Sequence, residues 1–179
     1  NEQTEIINNQ TFGTVINTYD DKEKVGYKFE RIENLPLVIG VNENVLKVHY
    51  VTDEAQTKEL SYTVEYYKEG ILADTDIEKT TVQVLEPDTM TVDKTKINLV
   101  DKYFGYKTEN VVIPDIVTNG DVIRVDYVID DSKTKDLSYT VEYYKDGVLA
   151  DTDVETKTVQ VLEPDTMTVN KDKINIVDA

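Results

Sequence analysis

Apolar and polar side chains alternate along much of this chain. In residues 61–67, Tyr62, Val64 and Tyr66 take turns with Thr63, Glu65 and Tyr67. A period of two, built from β-branched and aromatic residues, predicts a strand with one buried face. Ile123, Val125, Tyr127 and Ile129 alternate with Val122, Arg124, Asp126 and Val128 and predict a second strand. Residues 80–85 predict a third, with Val82 and Val84 facing in, and 89–92 and 97–100 predict shorter ones. Lys68-Glu69-Gly70 and Lys145-Asp146-Gly147 are turn signals, because glycine supplies the positive φ of a tight hairpin. Glu86-Pro87-Asp88 and its copy Glu163-Pro164-Asp165 break the next run. Helix signals are weak. Residues 94–103 and 171–179 have room for a turn or two, with Ile97 and Val100 on one face, and their β-branched content argues against more.

The pattern repeats. Residues 60–68 read LSYTVEYYK, and the same nine letters return 77 positions later at 137–145. Aligned without a gap, 59–102 and 136–179 agree at about 34 of 44 positions, including TVQVLEPDTMTV. The rest of the unit repeats more loosely. Val25-Gly26-Tyr27-Lys28 matches Phe104-Gly105-Tyr106-Lys107, and the run from Val45 to Val51 matches that from Val122 to Val128. The chain therefore reads as the late part of one unit (1–53), a whole unit (60–130) and the early part of another (137–179). A permuted phase, 25–101 and 102–179, fits the same letters. The polar run 130–136 reads as a linker and favours the first cut. Beginning and ending in mid-pattern is expected of a piece of a longer chain. A unit of about 70 residues buries only about 60% of its unfolded surface, so each unit is expected to lean on its neighbours.

Charge narrows the partners. Across 179 residues, 36 acidic side chains face 19 basic ones, for a net charge of −17. Binding to nucleic acid or to anionic lipid needs the opposite sign. Charged partners are expected to be cations or basic protein surfaces. The absence of cysteine removes disulfides, thiolate zinc sites and cysteine nucleophiles. No stretch approaches the roughly 18 apolar residues of a membrane helix, and no signal peptide or sorting tail is visible.

The order of these pieces resembles the mucin-binding-protein (MucBP-like) repeats of Gram-positive surface adhesins. The residues that carry the resemblance are the strand from Tyr62 to Tyr67, the Gly70 turn, Gly105-Tyr106-Lys107, and the closing strand through Val125-Asp126-Tyr127. It covers nearly the whole chain. The resemblance implies a mainly β or α+β architecture of ubiquitin-like β-grasp units set end to end. It also implies a secreted, cell-wall-anchored or surface location, with adhesion to host glycoprotein or glycan, or service as a stalk. The segment 80–100 is longer than the usual pattern.

Candidate chemistry is thin. Asp74 and Asp76, with their copies Asp151 and Asp153, place carboxylates at alternate positions and are candidate calcium ligands, although the glycine of a calcium-binding loop is absent. The other reading is a solvated strand edge that discourages aggregation. Tyr67 and Tyr144 are candidate stacking platforms for a sugar or partner surface, against ordinary cross-strand packing. His49 is the only histidine and its counterpart is Asp126, so it is expected to be an exposed strand residue. A catalytic triad or zinc site would need partners the chain lacks. Carboxylate pairs arise by density alone, and near-identical copies argue against one dedicated active site. The expectation is a non-catalytic protein without a cofactor, which acts as a spacer or as a multivalent weak binder. Its neighbouring repeat units are its nearest partners. The incomplete outer pieces are complementary, so head-to-tail self-association by strand addition is a further expectation.

Overall fold

A computed structural model describes residues 3–42, 44–100 and 102–174. The protein is mainly β. Its strands are β1 (Val15–Ile16), β2 (Tyr27–Glu33), β3 (Leu37–Val38), β4 (Lys47–Thr52), β5 (Thr57–Lys68) and β6 (Ile71–Gln83). They continue with β7 (Thr89–Thr91), β8 (Tyr106–Thr108), β9 (Ile116–Thr118), β10 (Val122–Ile129), β11 (Thr134–Lys145) and β12 (Val148–Gln160). The sheets are β1-β3, β2-β4, β7-β9, β11-β12 and a four-stranded one ordered β6-β5-β10-β8.

Local chemistry explains the two long hairpins. Glu69 and Gly70 both have positive φ (48° and 78°), as do Asp146 and Gly147 (49° and 78°). Two left-handed residues in a row twist the chain to match its flanking strands, which is what a two-residue hairpin needs. β5 and β6 therefore extend well past the predicted limits. Residues 80–83 of the run 80–85 are the end of β6, Val84 and Leu85 follow in a turn, and Asp74-Thr75-Asp76 lies in mid-strand. β12 follows β11 in antiparallel register from Thr134↔Gln160 to Lys145↔Val148, with one irregularity at Tyr143/Tyr144.

The chain forms two compact units. One comprises residues 1–62, 78–90 and 118–120, and the other 63–77, 91–117 and 121–179. In the first, β2 and β4 pair antiparallel, Tyr27↔Thr52 through Glu33↔Lys47. Its buried apolar side chains are Ile39, Leu60, Tyr62 and Met90. In the second, β10 runs parallel to β5, with Ile123↔Val64 and Val125↔Tyr66, and antiparallel to β8. Val64, Tyr66, Ile123, Val125 and Tyr127 are buried there, as alternation predicts, together with Val92, Ile97 and Val117. Ile129 departs from that set and is 40% exposed at the end of β10.

Two expectations are corrected. Residues 97–100 form no strand. The room for a turn or two at 94–103 is used by successive turns, in which Asp93 O accepts from Lys96 N and Lys94 O from Ile97 N. Near the other end one 3-10 turn forms, Lys171–Lys173, capped by the Asn170 side chain; residues 175–179 of that stretch lie outside the described residues. The run 130–136 is not a loose linker. Lys133 N donates to Asp130 O in a tight turn, Asp130 is buried, and β11 begins at Thr134.

Candidate functional site: a joint built twice

The connection from β4 to β5 recurs from β10 to β11, and the same atoms hold it both times. In the first unit, Asp53 N donates to Gly26 O (2.9 Å) and Gln56 N to Asp53 O (3.0 Å). In the second, Asp130 N donates to Gly105 O (2.9 Å) and Lys133 N to Asp130 O (3.0 Å). One glutamine locks each connection. The Gln83 amide Nε2 donates to Gly26 O (3.3 Å) and Asp53 O (3.2 Å), while its Oε1 accepts from Leu85 N (2.6 Å). Gln160 repeats this on Gly105 O (3.3 Å), Asp130 O (3.3 Å) and Leu162 N (2.6 Å). A primary amide offers two N–H groups and a carbonyl oxygen, and each has a partner here. A carboxylate could not donate in its place.

Backbone and lysine contacts are duplicated as well. Val84 N donates to Gln56 O (2.9 Å), and Val161 N to Lys133 O (3.0 Å). Lys58 Nζ bonds Glu86 O and Asp88 (2.5 and 2.6 Å), and Lys135 Nζ bonds Glu163 O and Asp165 (both 2.5 Å). The buried glycines leave room for a leucine. Gly26 and Gly105 both have φ of 81°, and Leu85 and Leu162 stand where a Cβ would project. The joints differ at one place. Gln56 adds a clasp, with Gly26 N donating to its Oε1 (2.8 Å) and its Nε2 donating to Tyr27 O (3.1 Å), where the second joint has Lys133.

Asp130 is a buried charged residue and takes its hydrogen bonds from the turn. Ser132 Oγ donates to Oδ1 at 2.7 Å and Ser132 N at 3.2 Å. These bonds, with Lys107 and Lys133 nearby, hold its carboxyl below the usual range.

The calcium candidates sit elsewhere. Asp74 Oδ2 lies 2.8 Å from Lys102 Nζ, and Asp76 Oδ2 lies 3.8 Å from it. The ammonium also sits 3.7 Å above the centre of the Tyr66 ring. Lys102 lowers the Asp74 pKa by hydrogen bond and charge. Burial raises Tyr66, with Asp76 adding to it, and burial pushes Tyr127 up to about 12. Tyr103 meets Tyr127 edge-on at 5.0 Å. The copies differ here: Ala179 stands where Lys102 has its counterpart, and the Asp153 carboxylate accepts from Tyr143 Oη at 2.9 Å. Asp151 Oδ1 accepts from Thr152 N. Among the described residues no three His, Cys, Asp or Glu side chains cluster as a metal site.

The stacking candidates diverge as well. Arg124 lies 3.9 Å over the Tyr67 ring while chelating Asp126 through Nε and Nη2, so that face is taken. Tyr144 is 58% exposed, its hydroxyl donating to Glu142. His49 is half-buried on β4 instead of exposed, with Nε2 3.0 Å from Glu33 Oε1. No protein-family model, curated protein or solved structure matches the chain. The glutamine, glycine and leucine of the joint were not singled out by function in the sequence. Their signal was identity between the copies of TVQVLEPDT and the recurrence of Gly-Tyr-Lys.

Proposed function

We propose that this chain is a stretch of a non-catalytic repeat stalk, which spaces a binding domain from a bacterial cell wall. The duplicated joint carries this reading. A spacer needs each repeat built and continued in the same way; on the phase that cuts the repeats before β5 and β11 these contacts hold each repeat to the next, and the glutamine hydrogen bonds recur within about 0.1 Å in both places. Hydrogen bonds from one side chain to two strand-end carbonyls resist bending that a free linker would allow. The β6-β5-β10-β8 order, with a parallel pair at its centre, supports β-grasp-like repeats in tandem. The crossing between β6 and β10 carries no α-helix among the described residues, a departure from that fold. Export and wall attachment rest on the MucBP-like resemblance. Direct multivalent binding by every copy is the weaker reading, because Arg124 already lies over the ring of Tyr67.

The test is to delete or duplicate one 77-residue period in a surface-displayed chain that carries a fluorescent tip. The height of the tip above the wall should change by a constant step per period. Saturable binding of the isolated chain to host mucin or glycan, lost when Tyr144 is replaced by Ala, would overturn the spacer reading.

A further inference from the structure

The second joint leaves an open groove of about 410 Å³, in the size range of clefts that take ligands. Tyr106, Ile129, Leu162 and Pro164 line it, together with Asp131 and Glu163. Leu162 fills the space over Gly105 and is still exposed on its outer side, and so is Ile129. Open apolar side chains rimmed by charge mark a contact surface. The first joint carries the same parts. Tyr27, Leu85 and Pro87 are the copies of Tyr106, Leu162 and Pro164, and Glu54 and Glu86 are those of Asp131 and Glu163. Between Glu54 and Asp131 the residue changes while the carboxylate stays. The opening is independent of the flanking repeats. The first joint has more than a full period of chain after it, and the second has more than a full period before it. Leu85 and Leu162 are nevertheless exposed alike (46% and 41%), as are Val25 and Phe104 (70% and 72%). Neither the repeat before a joint nor the repeat after it covers these side chains.

Charge selects the occupant. Among the described residues the carboxylates of Glu54, Glu86, Asp131 and Glu163 make no ion pair. The lysines nearby are engaged elsewhere. Lys58 and Lys135 bond Asp88 and Asp165, Lys28 and Lys107 face Asp53 and Asp130, and Lys68 lies over the rings of Tyr103 and Tyr106. The geometry points to a docking site at each joint for a protein segment that presents a large apolar side chain between lysines or arginines. In the second joint the apolar side chain lies against Tyr106, Ile129 and Leu162, and the cations pair with Asp131 and Glu163. A second copy of this chain is the wrong occupant, because it brings the same carboxylates and a net charge of −17. The site goes beyond spacing and does not rest on it: a chain built this way carries one docking place in each 77-residue period.

Amide chemical shifts of the 179-residue chain, titrated with the synthetic peptide GKKWKKG, test this. The amides of Leu85, Glu86, Leu162 and Glu163 should move saturably, with a Kd below about 1 mM. Asp131 and Glu163 are exposed and unpaired, so Asp131→Asn with Glu163→Gln leaves the fold intact. That double variant should weaken the response at Leu162 by about 2- to 30-fold, the worth of two exposed ion pairs, and leave Leu85 unchanged. Asp20→Asn with Glu109→Gln removes the same charge away from both joints and should change neither. The peptide GKKGKKG, which lacks the apolar anchor, should bind at least about 10-fold more weakly. Shifts spread over the acidic surface without preference for the joints overturn the proposal. So does equal weakening by the two double variants, or equal binding of the two peptides, since either reduces the effect to diffuse charge. Movement of the same amides as the free chain is concentrated would make the occupant a second copy and overturn it too.

Discussion

Leu162 occupies the space that a Cβ on Gly105 would need: two of its carbons would lie 2.8 Å from that atom. Leu85 crowds Gly26 more closely, at 2.4 Å. Both glycines also sit in the left-handed region, so a side chain there meets backbone strain as well as a clash.

Gly105→Ala should therefore destabilise the second joint by roughly 2–4 kcal/mol, combining left-handed strain with overpacking. Hydrogen exchange is the direct readout. The amides of Asp130, Val161 and Leu162 should lose protection, while those of Phe29 and Tyr50 in the β2–β4 pair should keep theirs. Gly120→Ala supplies the control. That glycine has similar φ (88°) and open space around it, so it reports strain without the clash. Equal loss from both variants would show that Leu162 does not matter.

Gln160 is the second test, because the reasons for an amide are separable. Gln160→Glu keeps shape but turns two donors into acceptors aimed at the carbonyls of Gly105 and Asp130. Gln160→Met removes the polar atoms and leaves those carbonyls to water. The Glu variant should be the less stable of the two at neutral pH by about 1–3 kcal/mol, the cost of unmet polar groups near a charge. It should recover as acid protonates the new carboxyl. Urea unfolding at neutral and acidic pH measures both.

Strands were legible in the sequence to the extent that one face of each was buried. Tyr62, Val64 and Tyr66, and Ile123, Val125 and Tyr127, alternate because β5 and β10 each bury a single face. β6 was read short. Its Asp74-Thr75-Asp76-Ile77 stretch is exposed along both faces, so no alternation marks it, and only the ladder to its hairpin partner keeps it extended. The segment 94–100 misled for a different reason. Its Asp93 and Asn98 side chains accept hydrogen bonds from Thr95 N and Val100 N, and such local turns compete with strand and helix. The joint was invisible as a site because its parts lie far apart in the chain. Gly105, Asp130 and Gln160 are brought together by the pairing of β8 with β10 and of β11 with β12, and no local spacing announces a glutamine that bonds two distant carbonyls.

Calcium is expected to leave the chain unchanged. Lys102 already supplies the positive charge beside Asp74 and Asp76, and the Asp153 carboxylate accepts from Tyr143. Adding millimolar calcium, or a chelator, should not move the thermal midpoint. A rise of several degrees that Asp151→Asn or Asp153→Asn abolishes would restore the metal reading.

Lys102 ties pH to the stability of the second unit. Its contact with Asp74 holds that carboxyl below its ordinary 3.8, so the stabilisation is present above that value and is lost as pH falls through the lower, folded one. Its own ammonium is raised above 10.5, so the same contact persists in mild alkali and is lost only as pH rises through that higher value. The opposite trend comes from the net charge of −17, whose mutual repulsion eases as carboxylates protonate. Salt separates the two, because it screens the diffuse repulsion more than a contact at 2.8 Å in which the lysine is mostly covered. At moderate salt, stability should therefore fall below about pH 4, near the ordinary aspartate range. Lys102→Met keeps the stem over Tyr66 and removes the charge. It should lower stability at pH 7 and make the acid limb shallower, since Asp74 then no longer prefers its charged form in the folded state. Denaturant midpoints from pH 2 to pH 7 decide the matter, and an acid limb of unchanged slope in the Met variant would show that other carboxylates, Asp130 among them, set it.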